Sequence, residues 1–198
     1  MVPRLFLLLM ASTLFGADAY VERQLAKWKP VRMPYDSSKL SERERRMVNE
    51  LAEASRAMEQ IYWRQSDPAA LELYRTTPDA LLKRFLFLNG SRYDLIAENR
   101  PFAGAGPVPP GRSLYPAGLT RAQVEQYVRE HPEQKAAIYS SYTVVKRKGA
   151  TLEAVPYSTE YRPLLEHGAA ALRRAAALSD DPAFAKFLTL RAEAFLKD

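Results

Sequence analysis

The sequence predicts a mainly α-helical protein with a small β-hairpin or sheet, an α+β chain with minor strand content. Three observations predict it. Apolar residues recur at three- and four-residue spacing along much of the chain. Helix-start signals recur as well: Ser41 with Glu44, Asp67-Pro68, Thr77-Pro78, Thr120 with Gln123, and Asp181-Pro182. Aromatic and β-branched residues take over only once, between 138 and 157. With 47% apolar and 26% charged residues in 198, global disorder is excluded.

Taken in order, residues 1–19 read as a secretory signal peptide. Arg4 supplies the early charge, Leu5–Phe15 the apolar core, and Ala17-Asp18-Ala19 a small-x-small cleavage site before Tyr20. That core is too short to cross a bilayer, so no stable membrane span is expected after removal. Localisation is predicted as secreted or periplasmic. Residues 20–40 read as an extended lead-in laying Trp28 and Tyr35 on the body, and residues 41–198 as one mainly helical domain. Met47, Leu51, Ala54, Met58 and Ile61 form the stripe of a helix over about 41–64. Asp67-Pro68 opens a short helix through Tyr74. Thr77-Pro78 opens another through Leu88, stopped by Asn89-Gly90.

Residues 99–118 hold five Pro and four Gly, which predicts a long loop without regular structure. Phe102, Leu114 and Tyr115 make it a packed loop. Thr120 and Gln123 start a helix that runs to about His131. A β-hairpin is expected over 138–157, with strands Ile138–Val145 and Leu152–Tyr157 and a basic turn at Lys146-Arg147-Lys148. Pro156 marks a strand end or a sheet edge. Ser158 or Thr159 caps a helix to about Leu178, and Asp181-Pro182 opens the last one. That helix runs to Lys197-Asp198 without Gly, Asn or Pro, so the domain is expected to be truncated at its C-terminus.

Composition removes much chemistry. Zero Cys excludes disulfides, thiolate metal sites and thiol nucleophiles. A net charge of +6 without a basic, aromatic-interleaved face gives no nucleic-acid footprint. Gly104-Ala105-Gly106 lacks the third glycine of a dinucleotide loop, and Gly111-Arg112-Ser113 lacks the phosphate-loop lysine. Glu166-His167 lacks the second histidine of a zinc-protease helix, because Leu165 and Pro163 stand where one would be needed. His131 ends a helix, where a cation suits the dipole. A hydrolase built on His131 or His167 is the weakest reading. No catalytic or metal-binding residue is assigned.

The loop Asn99-Arg-Pro-Phe102 through Pro109-Pro-Gly-Arg-Ser-Leu-Tyr-Pro116 with Thr120, and the hairpin Tyr139-Ser-Ser-Tyr-Thr-Val-Val-Lys-Arg-Lys-Gly149 with Tyr157 to Tyr161, together resemble bacterial members of the dipeptidyl peptidase III family of zinc metallopeptidases. The resemblance covers roughly residues 40–198. It implies the helical N-terminal part of a two-lobed peptidase whose zinc motif lies in a C-terminal catalytic region missing here. No cofactor is expected in this chain, and zinc only in the complete family member. The resemblance further implies a strand that pairs with an extended peptide substrate by its backbone. By motif position this is Ser140–Val145, with Ser141, Tyr142 and Thr143 facing or flanking the peptide. Tyr142-Thr-Val-Val replaces the family's Tyr-Gly-Leu-Asn-like run, so backbone pairing carries over and side-chain contacts do not. The alternative from another class is a free-standing exported helical binding module without enzymatic activity, using loop 99–118 and the hairpin as its contact surface.

Overall fold

A computed structural model describes residues 19–197. The expected signal peptide lies outside the described residues except for Ala19. After a helical stretch at residues 19–25 come α1 (Glu42–Ser66), α2 (Pro68–Thr76), α3 (Ala80–Asn89), the two-residue strands β1 (Tyr93–Asp94) and β2 (Arg100–Pro101), α4 (Arg121–Glu130), the single turn α5 (Lys135–Ile138), β3 (Thr143–Lys148), β4 (Thr151–Pro156), the single turn α6 (Tyr157–Glu160), α7 (Arg162–Leu178) and α8 (Pro182–Ala194). The chain is mainly helical, with two small antiparallel sheets, β1–β2 and β3–β4. It divides into two compact units. The described part of the first comprises residues 19–33 and 66–108; that of the second comprises 34–65 and 109–197.

Local signals set most helix starts. Ser41 Oγ accepts from the Glu44 N–H while Glu44 Oε2 accepts from the Ser41 N–H, so α1 opens on a reciprocal capping box. Thr120 and Gln123 do the same for α4. Asp67 and Asp181 cap α2 and α8, each with a proline in the first turn. Gly90, in the left-handed region at φ 57°, stops α3.

Several boundaries differ from the sequence reading. Asp79, not Thr77, caps α3: its Oδ1 accepts from the Leu81 and Leu82 N–H groups, while Thr77 Oγ1 accepts from the Asp79 N–H. No side chain of Ser158 or Thr159 caps α7. Pro163 has no N–H to continue a ladder from α6, so the chain restarts at Tyr161, whose carbonyl accepts from Leu164 and Leu165. Ile138 closes a helical turn that follows Pro132. The strand therefore begins at Thr143, Lys146-Arg147-Lys148 belongs to β3, and the turn is Gly149-Ala150. The lead-in is helical over residues 19–25, and Tyr35 is exposed instead of packed. Loop 99–118 contains β2 and a 3-10 turn at Arg112–Leu114.

In the first unit the core gathers on α3. Phe85 and Leu86 are fully buried, with Phe102 packed 4.6 Å from the Phe85 ring centroid. Beneath them, Asp67 Oδ2 accepts from both the backbone N–H and Nε of Arg92, and Oδ1 accepts from Nη2. One buried carboxylate thus caps α2 and fixes the approach to β1. In the second unit, Ala54 of α1 packs with Ala169, Ala171, Leu172 and Ala175 of α7 and with Leu188 and Ala192 of α8. Small side chains let these helices come close. A Cβ on Gly168 would stand 3.4 Å from the Ala57 Cβ.

Candidate functional site

The β3–β4 hairpin of the second unit is the element to which sequence reasoning assigned substrate contact. Its register pairs Thr143 with Pro156, Val144 with Val155 and Lys148 with Thr151. Gly149, at φ 61°, opens the two-residue turn, where a left-handed residue matches strand twist. Adjacent side chains of β3 point to opposite faces, and both faces are covered at its base. Val145 joins Leu119, Val124, Tyr127, Val128, Ile138 and Leu152 on one side; Val144 joins Ile61, Tyr161 and Leu165 on the other. Burying each such side chain contributes about 1.5–3 kcal/mol, so the helices hold a hairpin that would be marginal alone.

Register also decides which backbone groups are available. The Tyr157 N–H donates to the Tyr142 carbonyl at 2.8 Å, which makes 142 and 157 a hydrogen-bonded pair. In an antiparallel ribbon such pairs alternate. Val144, Lys146 and Lys148 therefore turn their N–H and C=O groups to β4. Thr143, Val145 and Arg147 turn theirs to the other edge, which pairs with no strand among the described residues.

Of the three residues implied to contact peptide, only Thr143 lies in the strand. Its Oγ1 donates to the Ala137 carbonyl at 2.8 Å, pinning the strand start to α5. Ser141 and Tyr142 form the exposed turn before it, with the Tyr142 N–H donating to Ser140 Oγ. Tyr142 is 63% exposed. Its ring begins an aromatic file that sequence reasoning missed. Tyr157 lies edge-on at 6.4 Å from Tyr142, and Tyr161 at 5.5 Å from Tyr157. Burial pushes the Tyr161 phenol up to about 12, helped by Tyr157 and Glu160. Burial, and then Tyr115, raises Tyr157; burial, and then Tyr139, raises Tyr115. These phenols stay protonated at neutral pH and act as walls and donors. Tyr115 donates to the Ile138 carbonyl at 2.8 Å and walls an open crevice of about 260 Å³ with Leu119, Val124 and Tyr139. Eleven tyrosines in the sequence were the available signal, but their convergence is tertiary.

The basic strand end is largely neutralised. Lys146 Nζ meets Glu160 Oε2 at 2.5 Å, and Lys148 Nζ lies 3.6 Å from Glu153. The histidines are apart in role. The His131 ring lies tilted against Tyr127 at 4.4 Å with Glu133 as its carboxylate, while His167 Nε2 meets Glu53 at 3.0 Å and Glu166 turns to Arg162. Each imidazole has one carboxylate, and no group of three or more metal-ligating side chains gathers among the described residues. Catalytic zinc needs three protein donors and an open position. The described side chains alone do not supply that donor set.

No family model matches the sequence. The fold superposes on the solved structure of dipeptidyl peptidase III from Caldithrix abyssi over 88% of this chain, with a TM-score of 0.79 and 35% sequence identity, and covers 34% of that chain. Against dipeptidyl-peptidase III from Corallococcus sp. strain EGB the TM-score is 0.76 at 33% identity, over 89% of this chain and 34% of that one. Among curated proteins, Nudix hydrolase 3 of Arabidopsis thaliana is 25% identical in a match that covers 90% of this chain and 31% of that protein. The chain spans about a third of each of these relatives, and its fold is that of a portion of dipeptidyl peptidase III.

Proposed function

We propose that this chain is the substrate-side, N-terminal portion of an exported dipeptidyl peptidase III-like zinc peptidase, and that it is catalytically incomplete by itself. The observation that carries this reading is the superposition of nearly nine-tenths of the chain on one third of two dipeptidyl peptidase III structures, at TM-scores of 0.79 and 0.76. The Nudix name belongs to a protein of which this chain matches less than a third, at lower identity, so it carries less weight. In this reading β3 offers the outward backbone groups of Thr143, Val145 and Arg147 to an extended peptide. Backbone pairing binds many sequences, and Tyr142 and Ser141 flank the strand start. Zinc and its general base belong to the polypeptide that completes the fold. The signal peptide sends the chain to the periplasm or outside the cell.

Two measurements on the purified chain test this. Incubation with N-terminally unblocked peptides should give no chelator-sensitive dipeptide release. Titration with an extended peptide should shift the amide resonances of Thr143, Val145 and Arg147 before those of β4. Robust zinc-dependent turnover by this chain alone refutes incompleteness. Shifts confined to other elements refute the assignment of β3.

A further inference from the structure

Tyr20 is the residue that the small-x-small motif Ala17-Asp18-Ala19 would make the first of a processed chain. In the structure it is a core residue of the first unit, 7% exposed. Its hydroxyl donates to Asp94 Oδ2 at 2.8 Å, and Asp94 is fully buried in β1. The Phe85 ring meets it edge-on at 6.4 Å, and the Arg100 guanidinium stands 4.5 Å over its face. Val21, Gln24 and Leu25 are buried behind it, and residues 19–25 are helical. The bond after Ala19 thus enters a packed helix at once.

We propose that the Ala19–Tyr20 bond is a processing site that folding closes. Hydrolysis there adds water across one amide: Ala19 leaves with the new carboxylate, and Tyr20 keeps the new ammonium. A protease must draw several residues on both sides of the bond into an extended strand, and here the residues after it are helical and buried. Cleavage therefore precedes folding of the first unit, or waits for its local opening. The position is also fixed from the other side. A cut even one residue later removes Tyr20 and leaves Asp94 Oδ2 without its hydroxyl donor, so the bond the motif marks is also the last at which cleavage leaves this anchor in place.

The inference rests on the export reading, and one experiment separates the two. The full chain, Met1 to Asp198, is purified and presented to a bacterial signal peptidase in detergent, either freshly diluted from urea or after refolding. Products are identified by N-terminal sequencing. The unfolded chain should be cut before Tyr20, and the refolded chain at least tenfold more slowly. Tyr20→Phe keeps the ring and removes the hydroxyl that donates to Asp94. It should speed cleavage of the refolded chain about tenfold, the effect expected when such a bond no longer resists opening. Amide exchange over residues 19–25, protected in the wild type and faster in the variant, provides a readout independent of the protease. Equal cleavage of both forms at Ala19–Tyr20 overturns the closed-site inference while leaving export standing. Absence of cleavage in either form overturns both. Cleavage of the unfolded chain beyond Tyr20 overturns the assigned position.

Discussion

His167 Nε2 stands 3.0 Å from Glu53 Oε1 and forms one rung of a polar ladder joining α7 to α1. Above it Arg174 Nη2 meets Glu50 at 2.8 Å, and at the end of α7 Arg43 donates to the carbonyls of Ala177 and Leu178. Residue numbers rise along α1 as they fall along α7, so the helices are antiparallel. Arg43 serves carbonyls of the last turn of α7, which a helix cannot pair within its own ladder, and a cation also suits the helix dipole there.

This ladder should give the stability of the second unit a dependence on acid. Hydrogen bonds from His167 and then Arg56 hold the Glu53 carboxyl below its ordinary value of 4.5, and the hydrogen bond from Arg174 does the same for Glu50. A carboxyl whose value is lowered by folding stabilises the native state above its unfolded value. That contribution is lost as pH falls through the folded value. Melting temperature should therefore drop below about pH 4.5, and the double variant Glu50→Gln, Glu53→Gln should flatten the drop. An unchanged slope in the variant would place the acid sensitivity elsewhere.

Asp67 is the corresponding point in the first unit. Burial alone would raise its carboxyl; the Arg92 side chain and backbone reverse this and leave it lowered. Asp67→Ala removes the α2 cap and strands a half-buried guanidinium. It should cost about 3 kcal/mol in urea unfolding. Asp67→Asn retains the cap oxygen and should cost less. Equal losses would show that the cap contributes nothing.

Gly168 separates helix propensity from packing. A methyl there meets Ala57 and Phe195 at 3.4 Å, which is contact without overlap. Gly168→Ala should stabilise by up to about 1 kcal/mol through helix propensity. Gly168→Leu should destabilise by about 1–3 kcal/mol by overpacking the α1–α7 seam. Chemical denaturation of both variants reads the two effects with opposite signs.

What was legible in the sequence was what is settled within four residues. Ser41 with Glu44, Asp67-Pro68, Thr120 with Gln123 and Asp181-Pro182 mark helix starts because capping is local chemistry. Ile138 was misread as strand because its β-branched neighbourhood is real, yet the turn begun at Pro132 carries through it first. Thr77 lost to Asp79 because both are good caps and the chain geometry after Pro78 chooses between them. The Tyr20–Asp94 bond spans 74 residues and the Tyr142–Tyr157–Tyr161 file depends on hairpin register. Neither leaves a periodic trace. At the candidate site the strand itself was legible, whereas the exposed Ser141-Tyr142 turn, which reads in the sequence as part of that strand, and the strand's true start and outward edge needed the pairing partner.

The outward edge can be tested without dismantling the hairpin. Arg147 is exposed, and its N–H faces away from β4, so Arg147→Pro deletes one outward donor while the ladder of Val144, Lys146 and Lys148 persists. Lys146, the residue before it, is already extended, as a following proline requires. If an extended peptide pairs with this edge, the variant should bind it about five- to tenfold more weakly, the loss expected for one backbone hydrogen bond, with the circular dichroism spectrum unchanged. Lys146→Pro faces the other way, removes a ladder bond and should unfold the hairpin itself. Peptide affinity that survives Arg147→Pro undiminished would place the contact on a different edge and remove β3 from the substrate side.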